Sequence, residues 1–168
     1  GYTVGVLVQC NYGGRARFSV AGVPVGQEIP DLLPCYDSIP GTPAGGRRCV
    51  AADQGSIIIV VATDAPLLPH QLKRIAKRAS LGVGRLGGTG ANTSGDIFIA
   101  FSTANPGAAK PDANATVTLL PNERISPLFE ATIQATEEAI VNAMVASRTM
   151  IGANGLRVYA LPHERLRA

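Results

Sequence analysis

Tryptophan is absent from this chain, aromatic residues make up only 5% of it, and charged residues only 16%. Such a low share of charge argues against a disordered protein, because disordered chains are rich in charged residues and poor in apolar ones. No apolar run approaches the ~20 residues of a membrane-spanning helix. The chain instead has 168 residues of which 46% are hydrophobic, and this composition predicts one domain with a sizeable core.

Potential metal ligands are also scarce. The three cysteines, Cys10, Cys35 and Cys49, lack C-x-x-C spacing, and the only histidines are His70 and His163. This pattern does not predict a zinc site, and it favours buried or free thiols over a disulfide framework. We therefore expect no metal and no cofactor.

The positive charge is concentrated in one short segment. The net charge is +3, and the basic residues cluster between Lys73 and Arg78 without interleaved aromatic residues. This arrangement is typical of a solvated helix face and not of a nucleic-acid-binding surface. The expected partners therefore include neither nucleic acid nor a membrane.

A glycine-rich segment begins at Gly82 and matches the pattern G-x-G-x-x-G up to Gly87. A dinucleotide site needs this pattern between a strand and a helix, whereas here it follows a predicted helix and opens none. Nucleotide binding is therefore not predicted. The glycine-rich run continues to Ser94 and Asp96, which indicates backbone brought close to a reacting centre.

Hydrophobic periodicity predicts a layered α/β fold with helices outside sheets. The strand from Ser56 to Thr63 is apolar on both faces and therefore needs a layer on each side. A segment rich in proline and glycine, residues 30–53, predicts an irregular loop that leads into this strand. The other predicted elements are strands at 2–9, 95–103 and 115–120, a hairpin joining 18–20 to 23–25, and helices from Pro69 to about Gly82 and from Ser126 to about Met150.

The tetrad Asp53-Gln54-Gly55-Ser56 stands at the entrance to the central strand. A glycine carbonyl has no Cβ beside it to shield it from the next hydroxyl. Cleavage of the Gly55–Ser56 bond would give Ser56 a free α-amine with a pKa of roughly 7.7–8, which could accept the proton of its own hydroxyl near neutral pH. Nucleophile and base would then be one residue. Local sequence alone favours a simple turn before a core strand.

Other segments of the chain change this balance: YTVGVLVQ (2–9), NYG (11–13), GSII (55–58), ATDAPLLPHQL (62–72), SGDIF (94–98) and AFSTAN (100–105). Together they resemble the serine-nucleophile aminopeptidases that include L-aminopeptidase/D-amidase-esterase (DmpA) and the β-peptidyl aminopeptidases. The resemblance implies a four-layer αββα sandwich and a precursor that cleaves itself, here between Gly55 and Ser56. Residues 1–168 would be a single-domain fragment of this precursor, with 1–55 the C-terminal part of the α subunit and 56–168 most of the β subunit.

The resemblance also implies roles for individual residues. Ser56 would attack the acyl carbon of an N-terminal amide or ester bond, and Asn11 would donate a hydrogen bond to the oxyanion. Ser94 and Asp96 would form a hydroxyl and carboxylate relay to Ser56, provided that strand geometry extends to both. On local sequence alone, Asn11 is a turn residue at a strand end, and the other two form a loop-to-strand cap. The β-peptidyl members have glutamate where Asp96 stands.

The function implied is that of a metal-free, autoprocessed serine aminopeptidase or amidase, acting on small peptides, amides or esters. Its expected partners are the missing part of the α subunit and further copies in a homo-oligomer, in the cytoplasm or the periplasm with the cytoplasm slightly favoured. One alternative is acyl transfer of the ornithine acetyltransferase type, against which Ser56 counts because that family uses threonine. The other is a non-catalytic binding or assembly protein with an uncut Gly55–Ser56 bond.

Overall fold

Two sheets and two long helices make up the architecture in a computed structural model, which describes residues 1–36, 48–49 and 55–167. The strands are β1 (Val4–Asn11), β2 (Cys35–Tyr36), β3 (Arg48–Cys49), β4 (Ser56–Thr63), β5 (Ile97–Ser102), β6 (Met150–Ile151) and β7 (Leu156–Val158). The helices are α1 (Val25–Glu28), α2 (Pro69–Arg85), α3 (Ser126–Ala146) and α4 (His163–Leu166). Short 3-10 turns lie at Arg15–Arg17, Asn122–Arg124 and Ala153–Gly155.

The main sheet has the strand order β1-β4-β5. β4 is antiparallel to β1, with Asn11 opposite Ser56, and parallel to β5, with Ile58 opposite Ile97. The parallel pair requires a crossover connection, which α2 provides. The end of β1 and the beginnings of β4 and β5 therefore meet at one edge of the sheet.

Alternate residues of β4 face the helices. Ile57, Ile59 and Val61 are fully buried beneath α2 and α3, which pack on each other and on the sheet. The opposite face of the sheet is also apolar and, among the described residues, it is open; it carries Leu7, Ile58, Ile97, Ile99 and Phe101. The prediction of α/β packing with helices outside a sheet is confirmed.

The glycine-rich segment has a structural role in the contact between the long helices. A Cβ added to Gly82 would lie 2.8 Å from the carbonyl oxygen of Ile133 and 2.8 Å from Cβ of Thr136. The buried hydroxyl of Thr136 donates to the Thr132 carbonyl at 2.7 Å, so this polar group is satisfied inside the helix. Helix α2 runs through Gly82 and ends just before Gly87, whose φ is +91°. The G-x-G-x-x-G pattern thus serves close helix packing and helix termination.

Of the smaller predicted elements, one strand was wrong and the hairpin is shorter than predicted. Residues 115–120 form no strand, because the side-chain amide of Asn105 accepts from Thr118 N at 2.8 Å and donates to Thr118 O at 3.1 Å, taking the place of a strand partner. The predicted hairpin is reduced to one bridge between Val20 and Val23. The chain then turns into α1, whose Gly26 N–H bonds back to the Phe18 carbonyl at 2.9 Å.

The interpretation of all cysteines as thiols was also wrong. Cys35 and Cys49 form a disulfide and lie directly opposite each other in β2 and β3. These two-residue strands fall inside the segment predicted as an irregular loop. Most of that segment, including Asp53, lies outside the described residues, and so does Gln54, the next residue of the tetrad. Cys10 is a free thiol, as predicted.

In the part of the chain that the structure describes, no helix is both long enough and apolar enough to cross a membrane.

Candidate active site

The candidate nucleophile is the first residue of the central strand. Ser56 is half-buried and lies opposite Asn11 in the last pair of the β1–β4 ladder. This pairing brings Asn11, the predicted oxyanion donor, next to Ser56, although they are far apart in sequence. The family resemblance had implied that these two residues act on the same substrate, and the sheet places them side by side.

Gly55 lies directly against the main chain at the end of β1. A Cβ at this position would be 1.6 Å from the carbonyl oxygen of Asn11 and 2.8 Å from Cα of Tyr12. Carbon atoms in contact prefer separations of about 3.5–4.0 Å, so no side chain fits at residue 55. The glycine before Ser56 is therefore required by the packing of Asn11, independently of any cleavage chemistry.

Two hydrogen bonds fix the beginning of β4 to the segment before β5. The main-chain N–H of Gly95 donates to Ser56 Oγ at 2.9 Å, and the N–H of Ile57 donates to Oδ1 of Asp96 at 3.0 Å. The regular parallel ladder starts one residue later, at Ile58. In these two bonds the acceptors are side-chain oxygens, Ser56 Oγ and Asp96 Oδ1, and not main-chain carbonyls. They extend the hydrogen bonding between the two chain segments back to Ser56.

Of the other two predicted site residues, Asp96 contacts the strand of Ser56 and Ser94 lies in a separate turn. Asp96 contacts the beginning of β4, because its side chain accepts a hydrogen bond from Ile57, the residue after Ser56. Ser94 instead lies in a turn, where its N–H donates to the Ala91 carbonyl at 2.7 Å. Strand β5 begins only at Ile97, so the strand geometry on which the Ser94 and Asp96 relay depended is not present. The relay itself stays a prediction.

Sequence reasoning missed Gly95, the residue between those two. It contributes a main-chain group, which no residue type reveals. The available signal was its position: a glycine directly before a strand that is parallel to β4 marks a place where backbone approaches another group closely.

A cavity of about 470 Å³ opens beside Asn11 and Gly55. Its apolar lining includes Phe18, Leu86, Ile140 and Met144. Cys10 also lines it, and burial raises the pKa of this thiol to about 11. Because only the thiolate is strongly nucleophilic, Cys10 is a poor nucleophile at neutral pH.

Metal-ligating side chains are not clustered near this edge. Among residues 1–36, 48–49 and 55–167, no group of three or more His, Cys, Asp or Glu side chains is placed to bind a metal ion. The chemistry available from the described residues is that of a serine hydroxyl, an amide side chain, a carboxylate and main-chain donors.

Comparison with known proteins decides the family. The family model described as peptidase family S58 matches residues 1–158. The chain belongs to peptidase family S58. The predicted resemblance to the DmpA and β-peptidyl aminopeptidase family is confirmed.

Individual relatives in this family are closely similar. The chain is 52% identical over 168 residues to the β-peptidyl aminopeptidase BapA of Sphingosinicella microcystinivorans, covering 99% of this chain and 42% of the relative. The solved structure of the PH0078 protein from Pyrococcus horikoshii OT3 is 44% identical, with a TM-score of 0.81 over 99% of this chain and 42% of that one.

A second solved structure is that of the L-aminopeptidase D-Ala-esterase/amidase from Ochrobactrum anthropi, which is 46% identical with a TM-score of 0.79, again over 99% of this chain and 42% of that one. That protein is described as a prototype of the serine aminopeptidases and as a variant of the Ntn hydrolase fold. The chain thus spans about two-fifths of the length of these relatives.

Proposed function

We propose that the full-length protein is a self-cleaving serine aminopeptidase or amidase that uses Ser56 as its nucleophile. The observation that carries the proposal is the position of Ser56 Oγ. This oxygen accepts a hydrogen bond from Gly95 N–H at 2.9 Å. Ser56 lies opposite Asn11 and directly follows Gly55, where an added Cβ would overlap the carbonyl oxygen of Asn11. Membership of a peptidase family supports this assignment.

Self-cleavage would begin with attack of Ser56 Oγ on the carbonyl carbon of Gly55. As the Oγ–C bond forms and the C–N bond breaks, the hydroxyl proton passes to the nitrogen of Ser56, and the peptide bond becomes an ester. Water then hydrolyses the ester, which leaves a carboxylate on Gly55 and a free α-amine on Ser56. Residues 1–55 would end one subunit and residues 56–168 would begin the other.

Turnover would reuse the same hydroxyl. The free amine of Ser56 accepts the Oγ proton while Oγ attacks the substrate acyl carbon, and the side-chain N–H of Asn11 stabilises the oxyanion. The leaving amine or alcohol departs with that proton, and water hydrolyses the acyl-enzyme. Asp96 would position Ser56 through its bond to Ile57 N, and Ser94 would act from the adjacent turn.

The substrate class follows from the relatives. These include a β-peptidyl aminopeptidase and an L-aminopeptidase D-Ala-esterase/amidase, so we infer small peptides, amides or esters with a free N-terminal amine. The open apolar face of the main sheet would pack against a second sheet from sequence outside this chain, which would complete the αββα sandwich. Assembly as a homo-oligomer stays a prediction.

The disulfide bears on the compartment. A bond between Cys35 and Cys49 persists in oxidising surroundings and is rare in a reducing cytosol. We infer the periplasm or another oxidising compartment, in place of the slight preference for the cytoplasm drawn from sequence.

The test is hydrolysis of the p-nitroanilides of β-alanine, L-alanine and D-alanine by the full-length protein. We expect release of p-nitroaniline from at least one of them by the wild type, and none by Ser56→Ala. A matched control is Ser80→Ala, since Ser80 is exposed on α2 and bonds only within its own helix, to the Lys77 carbonyl. Activity that survives in Ser56→Ala would refute the proposed nucleophile.

A further inference from the structure

Gly95 provides the hydrogen bond that Ser56 Oγ accepts, at 2.9 Å. The donor is a main-chain N–H, so it cannot change protonation or rotate away as a side chain can. The residues that follow Gly95 fix its position. Asp96 accepts a hydrogen bond from the N–H of Ile57, and the β4–β5 ladder begins directly after it. Gly95 thus bonds Ser56, and Asp96 bonds Ile57.

We propose that the Gly95 N–H is a catalytic donor that orients Ser56 Oγ and stabilises negative charge on it as its bond to the acyl carbon forms and breaks. The inference rests on the proposed function of Ser56. The Gly95 N–H would thus stabilise charge on the nucleophile, whereas the sequence analysis assigned roles only to side chains.

The donor acts at two points of the reaction. When Oγ attacks, it loses its proton to the amine of Ser56, and charge develops on Oγ before the bond to carbon is complete. When water attacks the acyl-enzyme, the neutral amine of Ser56 takes a proton from the water. The C–Oγ bond then breaks, its electron pair goes to Oγ, and the ammonium so formed gives that proton to Oγ. A preorganised N–H aimed at Oγ stabilises both transition states.

Glycine at this position keeps space free beside the nucleophile. A Cβ added to Gly95 would lie 3.3 Å from Ser56 Oγ, and among the described residues that is the only contact within 4 Å. The φ of Gly95 lies outside the left-handed region that disfavours side chains, so its φ does not exclude alanine. In Gly95→Ala the new methyl group therefore makes a tight contact with Ser56 Oγ. This contact should lengthen or tilt the hydrogen bond that Oγ accepts.

The first experiment compares Gly95→Ala with Gly84→Ala in the full-length protein. Both add one methyl group, and at the exposed Gly84 that group would meet nothing within 4 Å. Removal of one oxyanion-hole donor costs about 10²–10³ in kcat. Since the bond is here weakened and not removed, we expect Gly95→Ala to lower kcat about 10- to 100-fold, with KM little changed and self-cleavage slowed. Gly84→Ala should match the wild type, and wild-type kcat in Gly95→Ala would overturn the inference.

A second measurement does not depend on activity. Amide hydrogen exchange resolved to Gly95 should become about five-fold faster or more in Ser56→Ala, because the acceptor Oγ is gone. Unchanged exchange would overturn the inference even if Gly95→Ala failed to fold. A full-length protein that is neither cleaved nor active would contradict the proposed function, and the exchange result would still decide whether the Gly95 N–H binds Ser56.

Discussion

Asp96 offers the sharpest test of how the site is built. Its Oδ1 accepts a hydrogen bond from Ile57 N at 3.0 Å, in a partly buried setting. The carboxylate therefore acts on Ser56 through the main chain of the next residue. If this positioning is its main role, an asparagine at residue 96 should replace it, because the amide oxygen can accept the same bond. Alanine cannot.

The expected magnitudes follow from the type of bond. A hydrogen bond to a charged group contributes about 1.5–3 kcal/mol, and each ~1.4 kcal/mol lost from transition-state stabilisation is a factor of ten in rate. We therefore expect Asp96→Ala to lower kcat/KM and the rate of self-cleavage about 10- to 150-fold. Asp96→Asn should stay within about ten-fold of the wild type, since a neutral bond still contributes about 0.5–1.5 kcal/mol.

The assay is p-nitroanilide hydrolysis by the full-length protein, with the extent of self-cleavage followed on denaturing gels. Asp96→Ala and Asp96→Asn should both remain folded, which thermal unfolding will check. If Asp96→Asn were as slow as Asp96→Ala, the positioning role would be refuted. The charge of the carboxylate, or a proton that it transfers, would then be essential, as in the relay with Ser94.

Three further predictions concern the surroundings of the site. In a Ser56→Ala background, which keeps every variant uncut, Gly55→Ala should lower the free energy of unfolding by about 1–3 kcal/mol through overpacking against β1. Gly84→Ala on the exposed face of α2, whose added Cβ meets nothing within 4 Å among the described residues, should not destabilise the fold. Alkylation of Cys10 by iodoacetamide should be slow at pH 7.5 and should accelerate about ten-fold per pH unit, because burial raises the pKa of this thiol to about 11. Gln71→Leu should destabilise the fold by about 1–3 kcal/mol for each partner left unsatisfied, since its buried amide donates to the Leu120 carbonyl at 2.8 Å and accepts from Leu68 N at 3.2 Å.

Each of these expectations has a contrary result. An unfolding temperature for Gly55→Ala no lower than that for Gly84→Ala would contradict the close approach of Asn11. An alkylation profile for Cys10 with a midpoint near the ordinary thiol value of about 8.5 would contradict its burial. Wild-type stability in Gln71→Leu would show that its hydrogen bonds contribute nothing.

The parts of the fold that sequence predicted well are those specified by local pattern. The observed β4 has the predicted bounds, because an unbroken apolar run beside a turn has few other structures available. The helix from Pro69 was also predicted, and it ends at Arg85, three residues beyond the predicted end near Gly82. Residues 115–120 show the limit of this reasoning: they have strand-like composition, yet their partner is the side-chain amide of Asn105.

The candidate site was predicted in its residue types and not in its contacts. Ser56, Asn11 and Asp96 meet at one sheet edge, as the family resemblance implied. The close approach of Asn11 to Gly55 and the Gly95 donor were not predicted, since both depend on main-chain atoms that every residue possesses. The Cys35–Cys49 pairing escaped prediction for a related reason, because it depends on two short strands that have no pattern of their own.

The claim on which the rest depends is cleavage at Gly55–Ser56, and denaturing intact-mass spectrometry of the full-length protein tests it most directly. We expect the wild type to give two fragments, one ending with Gly55 and the other beginning with Ser56, and Ser56→Ala to give one uncut chain. A single uncut species in both proteins would contradict self-cleavage and would favour a binding or assembly protein.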